Sequence, residues 1–368
     1  MSAAPAVPPA SAAPAGDGRI PALIETETLN PLLDPRWESW LEEQPDATVF
    51  HTTAWARVLA DTYNFAPCYF TGAGRSGHRV LVPMFEIDSW ITGRRGISLP
   101  FSDFCRPLGD EGTGVPQPIY ARIQRHATER RWDYIECRGT LPNHPDAAVS
   151  LRYYTHDLGL NRSEDAIFAA FHPSVRRAIR KAEKSGLTVE ITDSISAIRE
   201  YFRLHGLTRR RHGLPPQPIS FFRAIHRHIV SQGMGFTVVV RKGGQAIASV
   251  IFFHRGSNGL FKFGASDERF QGLRPTNLAL WSGMCECRKR GIQRLSLGRN
   301  ATNHETLRRF KLSWGAEETS LAYSKFDCAS GRFVSDRSLL DGWQNHVFRR
   351  MPLPIARCLG ALLYRHIA

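Results

Sequence analysis

Apolar and polar positions along the chain alternate between short runs of period two and longer runs of period 3.6. CYFTGA (68–73) and RVLVPMFEID (79–88) predict a strand pair joined by a glycine-rich turn. GISLPFSDFCRPL (96–108) is punctuated by proline and predicts a partly irregular segment. IYARIQRHATERRW (119–132) predicts a helix with Ile119, Ile123 and Ala127 on one stripe, and DYIECRG (133–139) and RYYTHDLGL (152–160) predict strands.

The order then repeats. SVRRAIRKAEKSG (174–186) predicts a helix ended by Gly186, LTVEIT a strand, and two helices follow at about 195–212 and 218–232. GFTVVVRKGGQAIASVIFFHR (235–255) predicts a hairpin turning at Gly243-Gly244. GLFKFGASD is a strand, 276–291 a helix, IQRLSLGR a strand and TSLAYSKF (319–326) another. The repeat lies in element order, not in residues. It predicts an α/β (α+β) class with two tandem domains, 20–160 and 161–327, each a mixed twisted sheet flanked by helices.

The ends differ from this body. Residues 1–19 are Ala/Pro-rich with no basic start and no apolar h-region, which excludes a secretory signal and predicts a disordered tail. The C-terminal segment 328–368 is helical, and Leu353 to Tyr364 is almost wholly apolar between Arg349, Arg350, Arg365 and His366. That run is too short to span a bilayer. It either lies in a membrane interface, as a peripheral contact with the inner membrane, or docks on the second domain. The seven cysteines match no zinc or disulfide spacing, so we expect a reduced, cytoplasmic protein without a metal.

Charge sharpens the division. Residues 1–150 hold 13 Lys+Arg against 18 Asp+Glu, and residues 151–368 hold 35 against 16. A basic half beside an acidic half points to a polyanionic partner, such as tRNA or another phosphorylated ligand.

The stretch from Leu260 to Asn300 forms a strand–loop–helix–strand unit that looks like part of a GNAT acyltransferase. Its loop, Gln271-Gly272-Leu273-Arg274-Pro275-Thr276, lacks the small-residue pattern with which that fold cradles the coenzyme A pyrophosphate. FGASD, LRPTNLALW, LGRN and LRRFKLSWG (307–315), with HTTAWARV (51–58), SLPFSDFCRPL (98–108), HPSVRRAIRKAEKSGLTVEI (172–191) and PLPIARCLGALLYRHI (352–367), together resemble the Fem-type (FemABX-like) transferases. These include the BioF2-like acetyltransferases of envelope and exopolysaccharide clusters. The resemblance implies two GNAT-like domains. It also implies transfer of an acyl group, often aminoacyl from aminoacyl-tRNA, to an amine of an envelope or polysaccharide precursor. A donor already activated as an ester on tRNA needs no coenzyme A cradle. The strand Leu295–Asn300 departs from the family by placing Ser296 where an acidic residue is usual.

On this resemblance Lys311 matches a lysine near the acyl donor, where a cation would stabilise the oxyanion. Asp103 matches an acidic residue near the acceptor, placed to take the amine proton. These two are the catalytic candidates. Trp55 and Arg57 match a region contacting a phosphorylated sugar acceptor. Arg176, Arg180 and Lys184 fall at i, i+4 and i+8 and form one basic stripe, and Arg209, Arg210, Arg211 and His212 form a second. Arg176, Arg180, Arg211, Asn277 and Arg299 complete the expected substrate-binding set. Asp267 is read as organising its turn and His254 as structural. No bound cofactor is expected; aminoacyl-tRNA or acyl-CoA is the donor co-substrate. Two alternatives stand beside the tRNA-dependent reading. One is an acyl-CoA-dependent N-acyltransferase on a nucleotide- or lipid-linked amino sugar. The other is a non-catalytic RNA-binding or scaffold protein of an exopolysaccharide complex.

Overall fold

A few local choices fix where elements begin. Pro173 and Pro275 stand in the first turn of their helices, where a missing N–H costs nothing. Ser163 and Ser194 cap the helices that follow them by accepting from Ala166 and Ala197 N–H. Gly243 and Gly244 take the left-handed φ (55° and 81°) that a tight hairpin turn requires.

The computed structural model describes residues 23–74, 79–109, 115–139, 149–335 and 344–367. The tail expected at 1–19 lies outside them. The first half runs β1 (Leu23–Leu29), α1 (Arg36–Glu42), α2 (Thr53–Tyr63), β2 (Ala66–Pro67), β3 (Tyr69–Gly74), β4 (Arg79–Val82), β5 (Phe85–Ser89), β6 (Gly93–Ile97), α3 (Gln117–Arg130), β7 (Tyr134–Cys137) and β8 (Val149–Gly159). The second runs α4 (Glu164–Ala170), α5 (Pro173–Glu183), β9 (Thr188–Thr192), α6 (Ile195–Arg211), α7 (Ile219–His228), β10 (Gly235–Lys242), β11 (Gln245–Arg255), β12 (Asn258–Ser266), α8 (Pro275–Lys289), β13 (Arg294–Ala301), α9 (Glu305–Leu312) and β14 (Glu317–Asp327). β15 (Arg332–Phe333), α10 (Gln344–Arg350) and α11 (Leu353–Leu363) close the chain.

The run 79–88, read as one strand, is two. Pro83 has no N–H to give a ladder, so the chain leaves β4 there and enters a different sheet as β5. β1, β3 and β4 form a small antiparallel sheet. The other strands form one mixed sheet in the order β2-β5-β6-β7-β14-β8-β13-β12-β11-β10-β9, with β15 beside β14.

The halves trade strands within that sheet. β8, from the first half, pairs with β13 of the second, while β14, from the second, pairs with β7 of the first. β8 and β14 pair with each other along most of their length, making one continuous sheet. β10 and β11 are buried on both faces. Phe236, Val238, Val250 and Phe252 face a core shared with α5 and α8. Val239, Ile251 and Phe253 face another, in which Phe50, Trp55 and Tyr63 of the first half meet Phe221 of α7.

Each half contains one short parallel pair that then diverges. β6 and β7 pair over Arg95–Ile97 and Tyr134–Glu136, and β12 and β13 over Asn258–Leu260 and Arg294–Ser296. We call these the first and second forks.

Candidate active site

The second fork is bent on both arms. On β12, Phe261 and Phe263 lie opposite Phe252 and Ile251, so Lys262 is an extra residue, a β-bulge. On β13, Ser296 and Arg299 lie opposite Asp157 and Thr155, which leaves Leu297 and Gly298 against a single residue of β8. Gly298 has φ +73°, a conformation that favours glycine. Two bulges directly after the parallel pairing aim groups into the fork that a regular strand would not.

Asp103 reaches this fork from the first half. Leu99 and Phe101 both take left-handed φ (49° and 57°), so the chain turns sharply after β6. Buried Arg138 ties the turn down by donating to Leu99 O (3.3 Å) and Ser102 O (3.4 Å). The Tyr323 hydroxyl donates to Asp103 O (2.6 Å), and Lys262 Nζ donates to Phe101 O (2.8 Å) and to Asp103 Oδ2 (3.1 Å). A methyl group at Gly298 would lie 3.5 Å from the Asp103 carboxyl carbon, so the bulge and the carboxylate face each other.

Lys311 comes from α9, where it is the buried residue of an otherwise exposed amphipathic helix. With 4% exposure it is not a solvated surface lysine. Its ammonium donates to Gly298 O (2.7 Å) and Arg299 O (3.0 Å), so it holds the β13 bulge from behind with one donor to spare. Burial lowers its pKa to about 8; the Asp103 carboxylate opposes the shift, and Arg299 and Lys262 add to it. Burial also lowers Lys262, again against the pull of Asp103. Lys311 thus holds the Gly298 carbonyl, Asp103 faces the Gly298 bulge, and Lys262 joins them through its ion pair with Asp103. Arg299 lies beside them with its guanidinium over Tyr153 (4.1 Å) and Tyr323 (5.1 Å).

A cavity of about 270 Å³ opens in front of this cluster, at the junction of the halves. Asp103, Gly298 and Ser296, Thr319–Ala322 of β14, and Phe50, His51 and Arg106 are among its lining residues. An Arg294–Asp157 ion pair (2.6 Å) lies among its lining residues. His51 is committed elsewhere. Its Nδ1 accepts from Thr48 N–H (3.1 Å), which leaves Nε2 to donate to Arg106 O (3.0 Å), and burial pushes its pKa down to about 4.

The expected site residues divide clearly. Asp103, Lys311 and Arg299 are brought together at the Gly298 bulge; of the three only Asp103 lines the cavity, and Lys311 stands behind the bulge. Trp55 requires correction: its indole is fully buried, edge-on to Phe50 and Phe221, and serves the core rather than a ligand. Arg57 is exposed on α2 and does not line the cavity. Arg176, which donates to Ala169 O (3.4 Å), and Arg180, over the Phe168 ring, lie on α5. Arg211 ends α6, with a buried guanidinium nitrogen lacking a partner among the described residues. Asn277 stands in the first turn of α8, outside the cavity lining. Asp267 organises its turn as expected, accepting from Arg269 N–H (3.1 Å). Sequence reasoning missed Lys262. Its signal was a single lysine between two phenylalanines in an apolar strand. Among the described residues no cluster could hold a metal ion and no helix is long and apolar enough to cross a membrane.

Comparison with known proteins bears on the fold. Residues 170–311 match an acetyltransferase (GNAT) domain. The structure resembles FemX with a TM-score of 0.62 at 12% identity, covering 81% of this chain and 97% of FemX. It also resembles a tandem GNAT protein from the clavulanic acid biosynthesis pathway, with a TM-score of 0.52 at 11% identity over 83% of this chain and 99% of that one. The C-terminal DUF2156 domain of a proposed lysylphosphatidylglycerol synthetase from Agrobacterium fabrum gives a TM-score of 0.50 at 14% identity, over 78% and 90%. No curated protein sequence matches. The fold is that of tandem GNAT proteins, and the matched domain is an acyltransferase domain.

Proposed function

We propose that the protein transfers an acyl group, aminoacyl from aminoacyl-tRNA, to an amine of a cell-envelope or polysaccharide precursor, in the cytoplasm near the inner membrane. The observation that carries this reading is the meeting of Lys311 and Asp103 at the Gly298 bulge, with Lys262 paired to Asp103, beside a cavity lined by both halves. The amine nitrogen attacks the ester carbonyl, Asp103 takes its proton, and the positive charge of Lys311 behind the Gly298 bulge stabilises the developing oxyanion. Collapse breaks the ester, and the ribose oxygen leaves with the proton that Asp103 took from the amine. Likeness to FemX and to a proposed lysylphosphatidylglycerol synthetase supports aminoacyl over acetyl transfer.

The loop before α8 supports the same donor. Phe270, Arg274 and Asn277 N–H are each bonded within the loop, to Asp267, Gln271 and Arg274 carbonyls, and Pro275 has none. Few amides remain to meet a diphosphate. The match to an acetyltransferase domain favours the second reading, an acyl-CoA donor. Incubating the protein with charged tRNA or acyl-CoA and candidate amines, with products read by mass, separates the two. Sub-micromolar coenzyme A binding by calorimetry would overturn the tRNA donor. Replacing Arg176, Arg180 and Lys184 by Ser should flatten the salt dependence of tRNA binding if that stripe holds phosphates.

A further inference from the structure

The C-terminal helix is inverted relative to a normal surface helix. α11 buries its small residues, Ala356 and Gly360, against α6 and the Pro215-Pro216 turn. Its outward stripe is Pro354, Ile355, Cys358, Ala361 and Leu362, with no charged side chain and only the weakly polar Cys358 thiol. Leu362 is 63% exposed. Beyond the helix the chain is pinned to the β5–β6 hairpin. Thr92 Oγ1 (2.9 Å) and Arg95 Nη2 (2.7 Å) donate to His366 O, and His366 Nδ1 meets Ser89 Oγ at 2.9 Å. The hairpin tip there carries Trp90, 87% exposed and edge-on to His366 at 5.5 Å, and Ile91, 51% exposed. Ile367 is exposed beside them. Segments more than 250 residues apart thus build one projecting apolar surface. Arg349, Arg350 and Arg365 are exposed on the same tail, with no carboxylate in salt-bridge range among the described residues.

We propose that Trp90, Ile91, Leu362 and Ile367 form an insertion patch that docks the protein on an anionic bilayer, with Arg349, Arg350 and Arg365 meeting lipid phosphates. A protruding Trp–Ile tip suits a fluid interface, where an indole sits at headgroup depth. The stripe on α11 offers a protein partner little to orient it, and the exposed arginines complement phosphate.

The test uses the full chain and vesicles of phosphatidylcholine with or without phosphatidylglycerol, and its readout does not involve acyl transfer. The protein should co-sediment with the anionic vesicles, and less so at high salt. Replacing Trp90 by Ala and Ile91 by Ser should lower partitioning about tenfold or more, with an unchanged melting temperature because both side chains are largely exposed. Trp90→Phe should retain binding but lose most of the quenching by brominated lipid. Equal co-sedimentation of the double variant, or no binding to anionic vesicles, overturns the proposal. A concentration-dependent dimer in sedimentation velocity, abolished by the double variant, also overturns it by assigning the patch to a second copy.

Discussion

The two forks have the same plan and opposite contents. Each begins with three parallel register pairs. The first then closes on itself: Ser98 N–H bonds Glu136 O, Arg138 N–H bonds Ser98 Oγ (2.7 Å), and Cys105 N–H bonds Arg138 O (2.8 Å). Its partners β5 and β14 run beside it in regular register. The second carries a bulge on each arm, two desolvated lysines and a carboxylate delivered by the first. Closing one fork is what aims Asp103 into the other. A duplicated element has become a bracket in one copy and a candidate reaction centre in the other.

The largest effect should come from breaking the bracket. Arg138 is fully buried, pairs with Glu136 at 2.9 Å and bonds two carbonyls of the Asp103 turn. Arg138→Met strands those groups and should cost on the order of 3–5 kcal/mol, read by denaturant unfolding. A loss under about 1 kcal/mol would mean the first fork does not hold the turn.

Next comes the centre itself. Lys311→Met should lower kcat/KM about a hundredfold or more. The wild-type rate should fall above about pH 8 as Lys311 loses its proton, and Lys311→Arg should move that limb upward. Stability carries the opposite sign. Below pH 8 folded and unfolded chains are both protonated, and the cost of burying the charge is present in full. Between about 8 and the ordinary 10.5 the unfolded chain binds more protons, so this lysine's contribution to stability rises with pH. Lys311→Met should lose that rise. Full activity of Lys311→Met would refute its role.

Much of this plan was legible in the sequence, and the exceptions have physical causes. Helices with clean apolar stripes, such as α3 with Ile119, Ile123 and Ala127, fell where expected. So did the 243–244 hairpin. β6 was missed because GRRGI looks like a turn; in the fold Arg94 pairs with Asp88 and Arg95 serves a carbonyl of the distant tail. The exchange of β8 and β14 was invisible because a strand's pattern reports which face is buried, not which neighbour it pairs with. Asp103 and Lys311 were candidates on resemblance alone. Trp55 was carried over with its region by the same resemblance, and residue type alone does not tell a core indole from one that meets a ligand.

The link between the forks can be measured through its ion pair. Asp103→Asn should slow transfer, with a loss that shrinks as pH rises and the amine deprotonates unaided. A double-mutant cycle of Asp103→Asn with Lys262→Met should show a coupling of about 0.5–3 kcal/mol in stability. Additive effects would mean that the pair does not join the halves.

The smallest expected effect separates the forks by a single methyl group. Gly298 needs a left-handed φ, so Ala there costs about 1–2 kcal/mol of backbone strain. The added methyl meets only ordinary contact, 3.5 Å from the Asp103 carboxyl carbon, but it stands between the bulge and that carboxylate. Gly96, in the parallel pair of the first fork, is the control. Its added methyl would overlap the Trp132 ring, and overpacking there costs about 1–3 kcal/mol. The two variants should therefore melt at similarly lowered temperatures. Only Gly298→Ala should also lose kcat/KM, measured well below both transitions. If Gly96→Ala loses as much activity as Gly298→Ala, the forks are not divided into bracket and centre. If Gly298→Ala keeps full activity, the reacting atoms lie elsewhere in the cavity.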